Sequence, residues 1–371
     1  MKLIYNFDGS IIPMWVQLLF WLLYMVVFVY TFRIIVFHWR RNKLNEDVTY
    51  LFSIYFILFA VFYCINDDYF QYRNWIYGRD FSFWTKEKIY INIILFCRRL
   101  PFDYPYEVFR LVVWGGAVYI SYYTFRMYRG LLLPVQVLLF LFVFYSNAFC
   151  YARASLAMAF YFMGIALYLY QKEWDMKLFG IVVAVSSILF HREMLVGIAI
   201  LPCLFIPFEK QKISALSVLL LIFAVIGINF ISSNIELLDS IFDNDDLSMK
   251  MEGFAEKGQG VFRISTLFKY LNFFYPFYLI TKCFWNKNVI LPQYIIGMYR
   301  TTYAIIMASV AFMIVFGLRS VYSYRVLYIS MIPLSLLIGF CYYNGFLKKK
   351  QFAIIMILAL LSNSVRLINA Q

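Results

Sequence analysis

The chain has 371 residues, of which 64% are hydrophobic, 22% are aromatic and only 14% are charged. Soluble domains are about half apolar and about a quarter charged, so this composition excludes a soluble globular protein and indicates a membrane protein. The formal net charge of +13 would suggest a nucleic-acid-binding protein. The cations are concentrated in alternate connections between apolar segments, which is typical of membrane proteins. We therefore expect no nucleic-acid partner.

Apolar segments recur along the whole chain, separated by charged or turn-rich breaks, and most approach the roughly 20 residues that a membrane-spanning helix needs. They predict an all-α integral membrane protein with about 12 transmembrane helices in one polytopic domain, residues 1–371. The predicted spans are 14–32, 50–65, 107–124, 131–148, 153–170, 177–190, 194–208, 213–232, 265–281, 291–316, 321–343 and 352–368. The first segment lacks a basic start and a cleavage site, so we expect it to be retained as a span.

Alternate connections between the spans carry most of the excess positive charge. These connections are 33–49, 125–130, 171–177, 209–212, 282–290 and 344–351, and they hold 15 cations and five acids. The rest of the chain holds 18 cations and 15 acids. Since short cytoplasmic loops are enriched in Lys and Arg, these connections are predicted to face the cytoplasm and both termini the outside. Two long outside loops then follow at about 66–106 and 233–264.

Six cysteines are scattered along the chain without a Cys-x-x-Cys pair. We therefore expect neither a disulfide framework nor a metal site.

The segment Ile188-Leu-Phe-His-Arg-Glu-Met194 interrupts a long apolar stretch with three ionisable residues, His191, Arg192 and Glu193. Both neighbouring loops are predicted to be cytoplasmic, so the chain must go out and return within arms of only about 14 or 15 apolar residues. The turn is therefore predicted to lie below the outer surface in a cavity, where ionisable groups often mark functional sites. The alternative is a plain loop tip at a thin patch of membrane.

Arginines are the second unusual feature. Arg153 opens the fifth span, Arg319 and Arg325 lie at the outer end of the eleventh, and Arg300 lies near the middle of the tenth. Arginines on the outer side run against the usual charge bias but suit an anion, because guanidinium groups bind phosphate oxygens in pairs. Arg153 has the alternative interpretation of an interface residue that extends toward water.

Carboxylates and aromatic rings together can hold sugars through hydroxyl hydrogen bonds and stacking. Asp68, Tyr69 and Tyr72 follow the second span and form such a candidate sugar-binding group. A solvated loop is the alternative.

Four stretches of the chain resemble elements of the EpsG/Wzy-type family of bacterial polysaccharide polymerases. They are Asp68-Tyr69 with Tyr72, Arg153 with Leu156-Ala157, Phe190-His191, and Arg325 with Tyr328. The chain departs from the family pattern at Ala154, where Gln is common, and at Arg192 and Glu193, where small residues are common. The second departure leaves both His191 and Glu193 as candidates for the catalytic base.

The resemblance implies a GT-C-like bundle in the bacterial inner membrane that acts as an O-antigen or polysaccharide polymerase. Such an enzyme would transfer a glycan chain from undecaprenyl pyrophosphate to the non-reducing end of a lipid-linked repeat unit on the outer face. It would need no nucleotide sugar, cofactor or metal. Membrane lipid and a chain-length regulator protein are further expected partners.

The hypothesis for the mechanism is a single displacement at the anomeric carbon, with inversion of configuration. His191 or Glu193 would act as general base, since histidine suits proton transfer near neutral pH. Arg153, Arg325, Arg319 and Arg300 would bind the pyrophosphate. Three alternatives stay open: an O-antigen ligase, a lipid-linked oligosaccharide flippase or transporter, and, more distantly, a membrane acyltransferase.

Overall fold

The computed structural model describes residues 88–101, 105–127, 152–192, 194–205, 264–285, 290–316 and 321–368, residues 76 and 77, and isolated positions within 15–33 and 218–227. Every regular element in these ranges is helical. The α-helices are α1 Lys88–Arg99, α2 Pro105–Met127, α3 Ala152–Tyr170, α4 Trp174–Ser186, α5 Met194–Ala199, α6 Ile264–Phe284, α7 Gln293–Phe316, α8 Val321–Ile329, α9 Met331–Tyr343 and α10 Lys349–Ile368. Two short 3₁₀ helices, Ser187–Leu189 and Leu201–Phe205, follow α4 and α5.

Several helices have the length of a membrane span. The 24 residues of α7 give about 36 Å at 1.5 Å per residue, against a hydrocarbon core of about 30 Å. Within the described ranges, Gln293–Val315 is the one helix both long and apolar enough to cross a membrane by length and composition, and half of it is buried inside the protein. Shorter apolar helices occur at Ala154–Tyr170, Met194–Phe205 and Met331–Tyr343.

The predicted spans at 107–124, 153–170, 265–281, 291–316 and 352–368 are confirmed as helices, with ends that differ by a few residues. The total of 12 spans and the outside position of the termini stay predictions. The predicted spans at 50–65 and 131–148 lie outside the described residues, as do most positions of 14–32 and 213–232.

One predicted span, 321–343, is divided into α8 and α9 at Ser330. Pro333 explains the break, because it has no N–H to donate and its ring clashes with the carbonyl four residues earlier, that of Ile329. The Ser330 backbone N–H and side-chain hydroxyl both donate instead to the Leu327 carbonyl, at 2.9 and 2.6 Å. The prediction of one continuous helix was therefore wrong at this point.

Helix α1 was not predicted, since it lies in the segment assigned to an outside loop. It forms because Tyr90, Ile94 and Cys97 follow each other at helical spacing and build one buried face that packs on α2. Phe96 lies on the exposed side. The loop 66–106 thus contains an amphipathic helix.

Helix α3 packs closely between α2 and α4. Its buried face includes Ala157, Tyr161 and Ile165, which recur every four residues. Gly164 and Gly180 allow the backbones of α3 and α4 to touch: a Cβ atom on Gly164 would lie 2.5 Å from the Gly180 carbonyl oxygen. This crossing fixes α4, and the turn that follows it, relative to α3.

Candidate active site

The interrupted apolar stretch forms a short hairpin. Its first arm is α4, of 13 residues, followed by a three-residue 3₁₀ helix, which together span about 26 Å. The described part of its second arm is α5, of six residues, followed by the five residues of Leu201–Phe205, or about 19 Å. The first arm is shorter than a hydrocarbon core of about 30 Å, which agrees with a shallow turn. The depth of the turn in the membrane stays a prediction.

The backbone holds His191 firmly within this turn. The N–H groups of Phe190 and His191 both donate to the Ser187 carbonyl, each at 3.1 Å. The His191 carbonyl accepts from Met194 N–H at 3.0 Å, and the Arg192 carbonyl accepts from Leu195 N–H at 2.9 Å. These bonds join the end of the first arm to the start of α5. The His191 side chain is half-buried and that of Arg192 is exposed, so both are accessible from the protein surface.

Two contacts fix the turn and α5 to α3. The rings of Phe190 and Phe160 stack with centroids 4.6 Å apart and planes 13° apart. Farther along, the buried Tyr161 hydroxyl donates to the Gly197 carbonyl at 2.5 Å. Gly197 leaves room for this approach, because a Cβ atom there would lie only 3.1 Å from the tyrosine ring. The His191 turn and α5 are thereby held at the middle of α3.

Arg153 lies in the first turn of α3. It is seven residues before Phe160, or about 10 Å along the helix axis. The backbone therefore places Arg153 on the helix against which the His191 turn packs, about two helical turns from the Phe160–Phe190 contact. Its side chain lies outside the described part of the structure.

Helix α5 also packs on α7 and α8, which carry two of the predicted arginines. The Arg300 Nη1 on α7 donates to the Leu204 carbonyl at 2.8 Å, and the side chain is half-buried. The Arg325 side chain on α8 is half-buried as well, with its Nε in the interior. The elements that carry His191, Arg300 and Arg325 thus meet around α5.

Two tyrosines close to Arg325 in the sequence of α8, Tyr324 and Tyr328, contact an aromatic ring and a lysine of α6. Tyr324 and Tyr328 have ring centroids 5.8 Å apart, and Tyr328 lies 5.8 Å from Phe273 of α6. The Lys269 Nζ, also on α6, lies 5.3 Å from the centre of the Tyr324 ring, a cation–π distance. These contacts join the part of α8 that carries Arg325 to α6.

The remaining predicted site residues, Glu193, Arg319, Asp68, Tyr69 and Tyr72, lie outside the described residues. Their roles stay predictions. In the part of the chain that the structure covers, no group of three or more His, Cys, Asp or Glu residues could hold a metal ion.

The structure adds polar residues that the sequence did not single out as site residues. Glu107 and Arg110 are buried in the first turns of α2, and the Arg110 guanidinium carbon lies 5.7 Å from the centre of the Tyr106 ring. The sequence feature that could have identified them is the Glu-x-x-Arg spacing at the start of an apolar span, because this spacing places both residues on one face of a helix. Tyr161 had no comparable signal, because a tyrosine in an apolar helix is ordinarily a core residue.

Comparison with known proteins gives a single finding about the whole chain. No curated protein and no solved structure matches it significantly. A sequence model described as the EpsG family matches residues 47–368, which is most of the chain and includes every helix described above. The predicted resemblance is thereby confirmed, and the protein belongs to the EpsG family.

Proposed function

We propose that this protein is a polysaccharide polymerase that transfers a glycan chain from undecaprenyl pyrophosphate to the non-reducing end of a lipid-linked repeat unit. Membership in the EpsG family carries the proposal, because that family is associated with a glycosyltransferase-like polymerase role. The apolar helices are compatible with a membrane protein, as a lipid-linked substrate requires. The outer face of the inner membrane is the proposed location of the reaction.

The proposed reaction is one displacement. His191 or Glu193 accepts the proton of the acceptor hydroxyl, and that oxygen forms a bond to the anomeric carbon of the donor. The bond from this carbon to the pyrophosphate oxygen breaks with its electron pair, so undecaprenyl pyrophosphate leaves and the configuration is inverted. A half-buried imidazole in a turn fixed by four backbone hydrogen bonds supports His191 as the base.

Charge on the departing pyrophosphate has to be offset. We assign this task to Arg153, Arg325 and Arg319, because guanidinium groups placed before the reaction stabilise the developing charge without reorganisation. The half-buried position of Arg325 on a helix that packs against α5 supports its part in this assignment. Arg300 is the fourth predicted cation. Since its Nη1 is held by the Leu204 carbonyl, we assign it to the support of the site.

Asp68, Tyr69 and Tyr72 are the proposed contacts to the sugars. Carboxylates accept hydrogen bonds from hydroxyl groups, and tyrosine rings stack on the apolar faces of pyranose rings.

The test is polymerisation by purified protein given a lipid-linked repeat unit from its own strain, without nucleotide sugar. Wild type is expected to produce a ladder of glycans on a gel, whereas His191→Ala and Arg153→Ala are expected to produce none. Correctly folded wild type that leaves the repeat unit unchanged would contradict the proposal. One single larger product with a core-sugar acceptor would indicate a ligase, and movement of the intact donor across vesicles would indicate a flippase.

A further inference from the structure

We propose that Tyr161 and Arg300 are positioning residues that fix the interrupted helix 194–205, and with it the His191 turn, in the geometry that transfer requires. This inference rests on the proposed function for its catalytic part. Its structural part, the clamp on residues 194–205, stands on the hydrogen bonds alone.

Because the helix 194–205 is interrupted, some of its backbone carbonyls need hydrogen-bond donors from other parts of the protein. Helix α5 ends at Ala199, a turn follows at Ile200, and the chain continues as a 3₁₀ helix that contains Pro202. The last carbonyls of a helix have no N–H partner within it, and Pro202 has no N–H to offer. Within a membrane water cannot supply the missing bonds, so other parts of the protein must do so.

Two side chains from two different helices meet this need. The Tyr161 hydroxyl on α3 binds the Gly197 carbonyl in the last turn of α5, at 2.5 Å. The Arg300 guanidinium on α7 binds the Leu204 carbonyl near the end of the 3₁₀ helix, at 2.8 Å. A cation at the carboxyl end of a helical segment is also favoured by the helix dipole. The segment is thus bound at two points, seven residues apart.

The position of the segment decides the position of His191. Met194 and Leu195, the first two residues of α5, donate to the carbonyls of His191 and Arg192. A shift of α5 therefore moves the turn directly. A displacement of about 1 Å at a reacting group can slow a reaction about 100-fold, so a clamp of this kind matters for turnover.

Tyr161→Phe tests the clamp, because it removes only the hydroxyl that binds Gly197. Tyr299→Phe is its matched control: Tyr299 is equally buried, but its hydroxyl binds Thr281 Oγ1 at 3.1 Å and connects α7 with α6. Each change removes one oxygen from a buried tyrosine. Only the first loosens residues 194–205.

Arg300→Met and Arg300→Lys test the second point from another helix. Methionine keeps much of the apolar length and has no donor, whereas lysine keeps the charge and a donor that ends about one bond short of the arginine Nη1. This pair keeps the inference falsifiable if Tyr161→Phe does not fold.

Two readouts are compared for all four variants. Amide hydrogen exchange of the substrate-free protein in detergent should rise in peptides from 194–205 for Tyr161→Phe and Arg300→Met and stay at the wild-type level for Tyr299→Phe. Exchange in Arg300→Lys should rise less than in Arg300→Met. The kcat of polymerisation should fall about 10- to 100-fold in the first two variants with little change in KM for the lipid-linked unit. Tyr299→Phe should keep most of the wild-type kcat, and the kcat of Arg300→Lys should lie between those of Arg300→Met and wild type.

Three results would overturn the inference. Unchanged exchange at 194–205 in both Tyr161→Phe and Arg300→Met would show that the two hydrogen bonds do not hold this segment in place. Faster exchange together with a wild-type kcat would show that the position of residues 194–205 does not limit turnover. A rise in KM for Arg300→Met without faster exchange would make Arg300 a ligand of the pyrophosphate. Because exchange needs no substrate, an inactive wild-type protein would contradict the proposed function while the exchange pattern still decided the clamp.

Discussion

The crossing of α3 and α4 gives the sharpest stability prediction, through Gly164→Ala. The new methyl group would lie 2.5 Å from the Gly180 carbonyl oxygen and 2.8 Å from Ala184 Cα, both backbone atoms. Ordinary carbon contacts are about 3.5–4.0 Å, so the two helices would have to separate by about 1 Å. No rotamer change can relieve the clash, because backbone atoms face the methyl group.

The magnitude follows from two opposing effects. Overpacking a filled interior costs about 1–3 kcal/mol, and a backbone-to-backbone clash belongs at the upper end. Alanine in place of glycine favours a helix by about 1 kcal/mol. The net loss of unfolding free energy is therefore about 2 kcal/mol. Since α4 leads directly to His191, the same displacement of about 1 Å should lower turnover by up to about 100-fold.

Gly115→Ala on α2 is the matched control, because a Cβ atom there would meet nothing within 4 Å. Its helix propensity gain is the same, so its stability should equal or exceed that of wild type. The measurement is the thermal unfolding midpoint of both variants in the same detergent, together with the rate of ladder formation. Equal midpoints for Gly164→Ala and Gly115→Ala would refute the account of the α3–α4 crossing.

Three further predictions concern the site. His191→Ala should lower the rate of chain extension by about 10²- to 10⁴-fold, the range expected for a lost general base. His38→Ala, at the one other histidine, should leave the rate unchanged. Equal losses in the two variants would contradict a special role for His191. Arg325→Ala should lower kcat/KM for the lipid-linked donor by about 10- to 100-fold, as expected for a lost charge-assisted hydrogen bond worth about 1.5–3 kcal/mol in the transition state. A wild-type kcat/KM, measured by varying the donor concentration, would contradict this assignment. Pro333→Ala should let the helix continue through Ser330 and displace Arg325. The kcat/KM should therefore fall, while the unfolding midpoint should stay the same or rise. A wild-type kcat/KM would show that the break does not position Arg325.

The long helices could be predicted because an apolar run of about 20 residues has few alternatives to a membrane-spanning helix. The break in 321–343 also had a signal, since a helix often ends a few residues before a proline such as Pro333. A proline alone does not determine whether a helix ends, however. Pro276 lies inside α6, which continues through it without a break. Packing against neighbouring helices settles such positions, and a single sequence does not contain that information.

The same limit applies to the candidate site. His191 stands out in the sequence because a charged segment inside an apolar stretch is costly, and its role stays a prediction. The contact made by Tyr161 could not be predicted, because its partner is the Gly197 carbonyl, 36 residues away in the chain. Arg300 was conspicuous as a charge, but the sequence suggested an anion as its partner. The structure shows that one of its nitrogens binds a helix-terminal carbonyl, a partner that no side-chain pattern reveals.

The most direct test of the proposed site is capture of the substrate by a photoreactive amino acid at position 192. Arg192 is exposed and adjacent to His191, whereas Lys172 is exposed in the connection between α3 and α4, at the opposite end of the first hairpin arm. With a radiolabelled lipid-linked repeat unit, crosslinking is expected at 192, reduced by excess undecaprenyl pyrophosphate, and at background level at 172. Equal capture at both positions, or capture at 172 alone in a variant that still polymerises, would contradict a reaction centred on the His191 turn.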